Sequence, residues 1–287
     1  MSVRIVADVL IPGRGDPIDH GTVVLDGDRI LYAGPTAGAP AASSDDVIDE
    51  VPVALPGLWD CHAHLMGITQ PNVEALVGTN PLTAAARAVS DLAAVIDGGI
   101  TSVRDVGGPG IRLAPVVEEG RIRGPRIHAA GRILSTTGGH ADIHSVPLDL
   151  VHQLTCSGEF SYLCDGVPEV LKAVRTNLRA NARLIKICAS GGVMSEIDHP
   201  IHQQFSDEEL AAIVAEAGRA ERIVAAHCHG KPGIMAAVRA GCHTIEHGSF
   251  LDEEAADAML ERGAMLVPTR FVVEALLPQI ERLPRYA

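Results

Sequence analysis

The sequence predicts an α/β fold built on a parallel sheet, and three observations carry the prediction. From residue 53 onward short apolar runs alternate with helical periodicity, which implies βαβ units. Histidines and a lysine recur at or near the ends of those runs, where the active sites of α/β barrels sit. Residues 1–52 have another texture, short strands broken by Gly, Pro and Asp turns such as Asp26-Gly27-Asp28, and read as a small β domain. The 287 residues suit a barrel, whose single domain runs to roughly 250 residues.

Composition narrows the function. The net charge of −13 offers no basic footprint for nucleic acid and no polybasic patch for anionic lipid, so a small-molecule substrate fits better. No apolar stretch is long enough for a membrane span, and residues 1–10 lack a signal-peptide pattern, so the expected compartment is the cytoplasm. Six cysteines (Cys61, Cys156, Cys164, Cys188, Cys228, Cys242) show no CxxC pair, in keeping with reduced thiols.

The predicted barrel strands are 54–59, 101–106, 126–130, 184–188, 223–228, 244–247 and 264–268, one short of a closed eight. Helices are expected over 83–97, 168–180, 207–220, 233–240 and 252–262. Ser206 ahead of three acidic residues makes a strong N-cap. Residues 131–167 lack periodicity, hold His140, His144 and His152, and read as a lid over the strand ends.

The run Leu55-Pro56-Gly57-Leu58-Trp59-Asp60-Cys61-His62-Ala63-His64 is the most informative segment. On a strand, residues i and i+2 share a face, so His62 and His64 can offer two imidazoles to one metal ion. Alone, an HxH pair is weak; later strands support it. In Leu184–Cys188, alternation sets Lys186 on one face with Leu184 and Cys188, both isoleucines facing the other way. If both faces are covered, the Lys186 ammonium is desolvated and its pKa falls; a lysine snorkelling to the surface is the alternative. His227 and His247 close two further strands, with His229 just beyond the first. His243 lies at the opposite end of its strand and is set aside as exposed.

These residues resemble the amidohydrolase superfamily of metal-dependent hydrolases. The segments 186–195, His227-Cys228-His229-Gly230 and Ile245-Glu246-His247-Gly248-Ser249, with Gly138-Gly139-His140 and residues 102–108, are similar to the branch of Xaa-Pro dipeptidases, metallo-carboxypeptidases and ochratoxin-type amidases. The resemblance implies a distorted (β/α)8 TIM-like barrel over residues 53–287 beside an N-terminal β-sandwich portion over 1–52. It implies two divalent ions, zinc by preference. His62 and His64 would hold one and His227 and His247 the other, bridged by Lys186 as N6-carboxylysine. A carbamate turns a costly buried cation into an oxygen-donor anion. His140 is the candidate catalytic residue and His229 the candidate substrate contact. Asp105 would either orient a ligating imidazole or pair with Arg104.

The family's aspartate after the eighth strand has no counterpart before Ala287, nor does the closing strand, so the chain reads as a fragment of a longer product. The expected activity is hydrolysis of an amide or peptide C–N bond in a dipeptide or N-acyl amino acid, by a metal-bridging hydroxide. Alternatives are an imidazolonepropionase-like cyclic amide hydrolase or deaminase, and a non-catalytic metal-binding remnant. Association into a homo-oligomer is left open.

Overall fold

A computed structural model describes residues 2–69, 74–157, 160–195 and 197–282. It divides into two compact units, Met1–Leu58 and Trp59–Ala287. In the first, β1 (Val3–Leu10), β2 (Ile18–Asp26), β3 (Arg29–Pro35) and β4 (Val47–Ala54) form one sheet in the order β3-β2-β1-β4. The Asp26–Arg29 turn closes the antiparallel β2–β3 pair, and β4 runs parallel to β1.

The second unit holds β5 (Leu58–Ala63), α1 (Ala75–Gly78), α2 (Pro81–Asp97), β6 (Ile100–Asp105), α3 (Gly110–Glu118), β7 (Arg126–Ala129), β8 (Ile133–Ser135), α4 (Leu148–Ser157), β9 (Ser161–Leu163) and α5 (Val167–Arg179). Then follow β10 (Leu184–Cys188), α6 (Asp207–Arg219), β11 (Ile223–Cys228), α7 (Lys231–Ala240), β12 (Thr244–His247), α8 (Glu253–Arg262), β13 (Met265–Val267) and α9 (Arg270–Leu276). The strands fall into sheets ordered β5-β6-β7 and β13-β12-β11-β10-β8-β9.

β7 and β8 are two halves of one strand. Gly131, at φ +75°, bends it, and a Cβ there would meet Asn177 and Ile111 at 3.1 Å. The first half pairs with β6 and the second with β10, and Arg183 N–H donates to Ala129 O at 2.8 Å, so the bend stitches the sheets together. Counted this way, β6, the bent strand, β10, β11, β12 and β13 run parallel in chain order, β9 pairs parallel with β8, and β5 and β13 lie at sheet edges.

Side-chain parity does the positioning. Ile185, Ile187, Val224, Ala226 and Ile245 join Val170, Val174, Leu210, Ile213 and Ile234 of α5, α6 and α7 in one core between sheet and helices. The alternate residues turn the other way: Leu184 and Ala225 pack with Val106 and Ala130 in a separate cluster. Lys186 and His227 share that face. α6 starts where predicted, with Ser206 and Glu209 forming a reciprocal capping box.

Three expectations change. The first barrel strand is 58–63, not 54–59, because Val47–Ala54 is taken by β1 and Pro56 lacks the N–H a ladder needs. Residues 131–167 are not a structureless lid but contain β8, α4 and β9, short elements with little room for periodicity. α3 was not predicted, since Pro109, Gly110 and Pro115 mask its pattern. Cys61, Cys164, Cys188, Cys228 and Cys242 are free thiols; the Cys156 side chain lies outside the described residues.

Candidate metal centre

Six imidazoles meet at the C-terminal ends of the strands. His62 lies 5.2 Å from His64 and 4.8 Å from His247, ring centre to ring centre; His247 lies 4.6 Å from His227 and 4.9 Å from His229. His140 stacks on His227 at 4.1 Å. One ligating atom from each of His227, His229 and His247 falls within 4.8 Å of the others. Residues up to 185 positions apart in sequence thus share one site.

Each ring has a partner on one nitrogen. His62 Nδ1 meets Glu246 Oε2 at 2.7 Å, His64 Nδ1 meets Gly107 O at 2.8 Å, and His227 Nε2 meets Gly191 O at 3.3 Å. A carbonyl or carboxylate oxygen has no proton to give, so these nitrogens carry the hydrogen and the opposite ring nitrogens keep their lone pairs. His140, His229 and His247 pair through Nδ1 with the hydroxyls of Ser195, Ser249 and Thr269 at 2.7, 2.7 and 2.8 Å.

His247 owes its direction to strained backbone. By parity it would follow Ile245 into the helix-facing core, but a φ of +70° turns it to the other rings. Its partner Thr269 is also left-handed, at +47°. Such conformations persist in non-glycine residues where the surroundings fix them, and they gather at functional sites. At Gly192 a Cβ would stand 1.8 Å from His140 Nδ1, so only glycine lets the loop after β10 pass that ring.

The site strongly favours uncharged donors. Burial, assisted by the Lys186 charge, lowers the pKa of His140 to about 3 and of His229 to about 4, and holds His62, His227 and His247 well below the ordinary range. Burial also lowers His64, to about 4, although part of that residue is exposed and water moderates the effect. Lys186 is 2% exposed; burial lowers its pKa and the Glu246 charge opposes. Lys186 sits on the same face of the sheet as His227, one strand over, and its charge helps to lower all six imidazoles. Neutral imidazoles with free lone pairs are a donor set that fits a divalent metal ion.

Beneath the rings lies a polar layer that sequence reasoning did not foresee. Glu246, fully buried, accepts from Arg104 Nη2 at 2.6 and 2.8 Å, from the Thr244 hydroxyl at 2.5 Å and from His62. Arg104 also donates to Cys61 O at 2.6 Å and to Thr244 Oγ1 at 3.1 Å. The signal was present: with Ile245 in the core, its neighbour Glu246 must face the interior, where a carboxylate requires partners.

Asp105 does neither thing expected of it. Arg104 pairs with Glu246 instead, and Asp105 Oδ1 accepts from Leu65 N–H at 3.1 Å, tying the turn after His64 to the end of β6. Burial, opposed by the backbone N–H groups of Leu65, Gly110 and Gly107, raises its carboxyl to about 7. His144 approaches Asp198 at 3.9 Å behind His140, while His152 and His243 are exposed.

Residues 53–286 match the model of the amidohydrolase family. The chain belongs to the amidohydrolase family. It is 41% identical to ochratoxinase of Aspergillus niger over 288 residues, which cover 95% of this chain and 60% of that protein. The chain therefore spans well under two thirds of that relative's length. The crystal structure of A. niger ochratoxinase superposes with a TM-score of 0.91 at 40% identity, covering 97% of this chain and 67% of the other. A prolidase complexed with N-methylphosphonate-L-proline superposes with a TM-score of 0.91 at 35% identity, covering 100% and 71%. With its parallel strands and intervening helices, the chain has the α/β fold of these neighbours.

Proposed function

We propose that this amidohydrolase hydrolyses an amide or peptide C–N bond in a small substrate, a dipeptide or an N-acyl amino acid. His62 and His64, with His227 and His247, would hold two divalent ions, zinc by preference, and Lys186 as N6-carboxylysine would join them. The observation that carries the reading is the meeting of four neutral imidazoles, each with a ring nitrogen already engaged by protein, with the buried Lys186 on the sheet face that carries His227. Similarity to an ochratoxinase and to a prolidase bound to a proline phosphonate supports an amide-bearing substrate.

When bound, such ions polarise a carbonyl and lower the pKa of water. The chain's own residues do the rest. His140 and His229, stacked on His227 and His247, would face a substrate carbonyl oxygen or carboxylate; with Ser195 and Ser249 donating to their Nδ1 atoms, the neutral rings would offer it Nε2–H donors without needing a charge. Ser195 and Ser249 orient His140 and His229.

A cyclic-amide reading has support in the 28% identity to imidazolonepropionase of Methylobacterium nodulans, which covers 96% of this chain and 72% of that protein. A lysine 2% exposed on the sheet face that carries His227 favours the two-metal reading over it. The test is protein purified without chelators, assayed for metal and for turnover of dipeptide and N-acyl amino acid libraries. Lys186→Ala should lower both metal content and turnover. Full metal and full turnover in that variant, or action on cyclic ureas alone, would overturn the proposal.

A further inference from the structure

Glu246 presents a feature that neither core packing nor the ligand set explains. A carboxylate has about four acceptor directions, and here four contacts fill them: Arg104 Nη2 on both oxygens, the Thr244 hydroxyl on Oε1 and His62 Nδ1 on Oε2. Arg104 is likewise spread over three partners, reaching Cys61 O next to His62, Thr244 and Glu246. The cluster thus ties β5 and β6 to β12, strands of two different sheets.

We infer that Glu246 is the positioning residue of His62: its carboxylate, held in register by Arg104 and Thr244, fixes the Nδ1–H tautomer and ring direction that leave Nε2 free for a metal. The inference rests on the metal-centre reading above. The chemistry requires all three groups. A carboxylate alone at 0% exposure would be an uncompensated charge, and Arg104 neutralises it. Thr244 and the shorter Arg104 contact occupy Oε1, so Oε2, which takes only the 2.8 Å contact from Arg104, keeps an acceptor direction for the imidazole. A bond of 2.7 Å to a carboxylate also restrains rotation of the ring, which β5 alone cannot do, since its other side chains are half-buried or exposed.

The test separates positioning from a structural ion pair. Three proteins are compared: the wild type, Glu246→Gln, which keeps an acceptor oxygen for His62, and the double variant Arg104→Met with Glu246→Leu, which removes both charges and leaves neither stranded. Long-range 15N–1H correlations of the metal-free protein read the His62 tautomer, and zinc affinity is read by competition with a chromophoric chelator. The expected results are a single Nδ1–H tautomer in the wild type, its retention in Glu246→Gln with zinc binding within about tenfold, and a tautomer mixture in the double variant with zinc affinity lower by about 10–100-fold. A folded double variant that keeps the wild-type tautomer and binds zinc within about threefold would overturn the inference. If the wild type binds no zinc, the metal-centre reading fails, and the tautomer alone still decides whether Glu246 positions His62.

Discussion

The two walls of the site deliver the same kind of side chain by different physics. On β10, β11 and β12 nearly every residue is buried, and Lys186 and His227 point inward because their neighbours are locked into the helix-facing core. On β5 no residue is fully buried, and His62 and, just past the strand's end, His64 are each held by a single ring hydrogen bond, to Glu246 for the first and to Gly107 O for the second. One wall is aimed by packing, the other by polar tethers. Packing positions a side chain as a consequence of the hydrophobic effect that also folds the sheet. Tethers need specific partners from distant strands, so the β5 wall is where geometry is lost first.

The largest expected effect breaks the tethered wall. Glu246→Leu alone leaves Arg104 buried without its counter-charge and should cost about 3–5 kcal/mol in a denaturant titration; a loss below about 1 kcal/mol would mean the cluster does not hold that wall. On the packed wall, Ile245→Ala removes a residue of 0% exposure from the main core and should cost about 2–5 kcal/mol. Its effect on the His62 tautomer should be nil, which separates the two mechanisms.

Acid should weaken the shared centre. His140 and His229 have folded-state pKa values of about 3 and about 4 against an ordinary 6.5. As pH falls below 6.5 the unfolded chain takes up protons that the folded metal-free chain refuses, so stability is lost from about pH 6.5 downward toward pH 4. These two groups together give a slope of roughly 3 kcal/mol per pH unit in that window. Unfolding curves of metal-free protein at pH 7, 6 and 5.5 would contradict this by coinciding. The smallest effect lies away from the site: Ser206→Ala removes half of the capping box of α6 and should cost about 1 kcal/mol while leaving zinc affinity unchanged.

The packed wall was also the legible one. Strands at 184–188, 223–228 and 244–247 follow from apolar runs bounded by turn residues, and the inward face of Lys186 follows from the isoleucines beside it. Resemblance of the histidine segments to a known family then supplied the expected partners. The tethered wall was harder to read. Pro56-Gly57 shifts the start of β5, and the partner that orients His62 lies 184 residues away, beyond any local periodicity. His247 has the wrong parity for its role and reaches the site through a left-handed backbone, which no alternation rule anticipates. Asp105 was read through its neighbour Arg104, whereas tertiary contacts send the two side chains to different partners.

The central claim is that imidazoles from both walls serve one metal-binding centre. Titration of the metal-free protein with zinc, followed through the histidine ring signals, tests it most directly. The account predicts that His62, His64, His227 and His247 respond together, while His199, His202 and His243 stay still. Zinc that binds without moving the β5 pair, or that moves the outer histidines first, would contradict it.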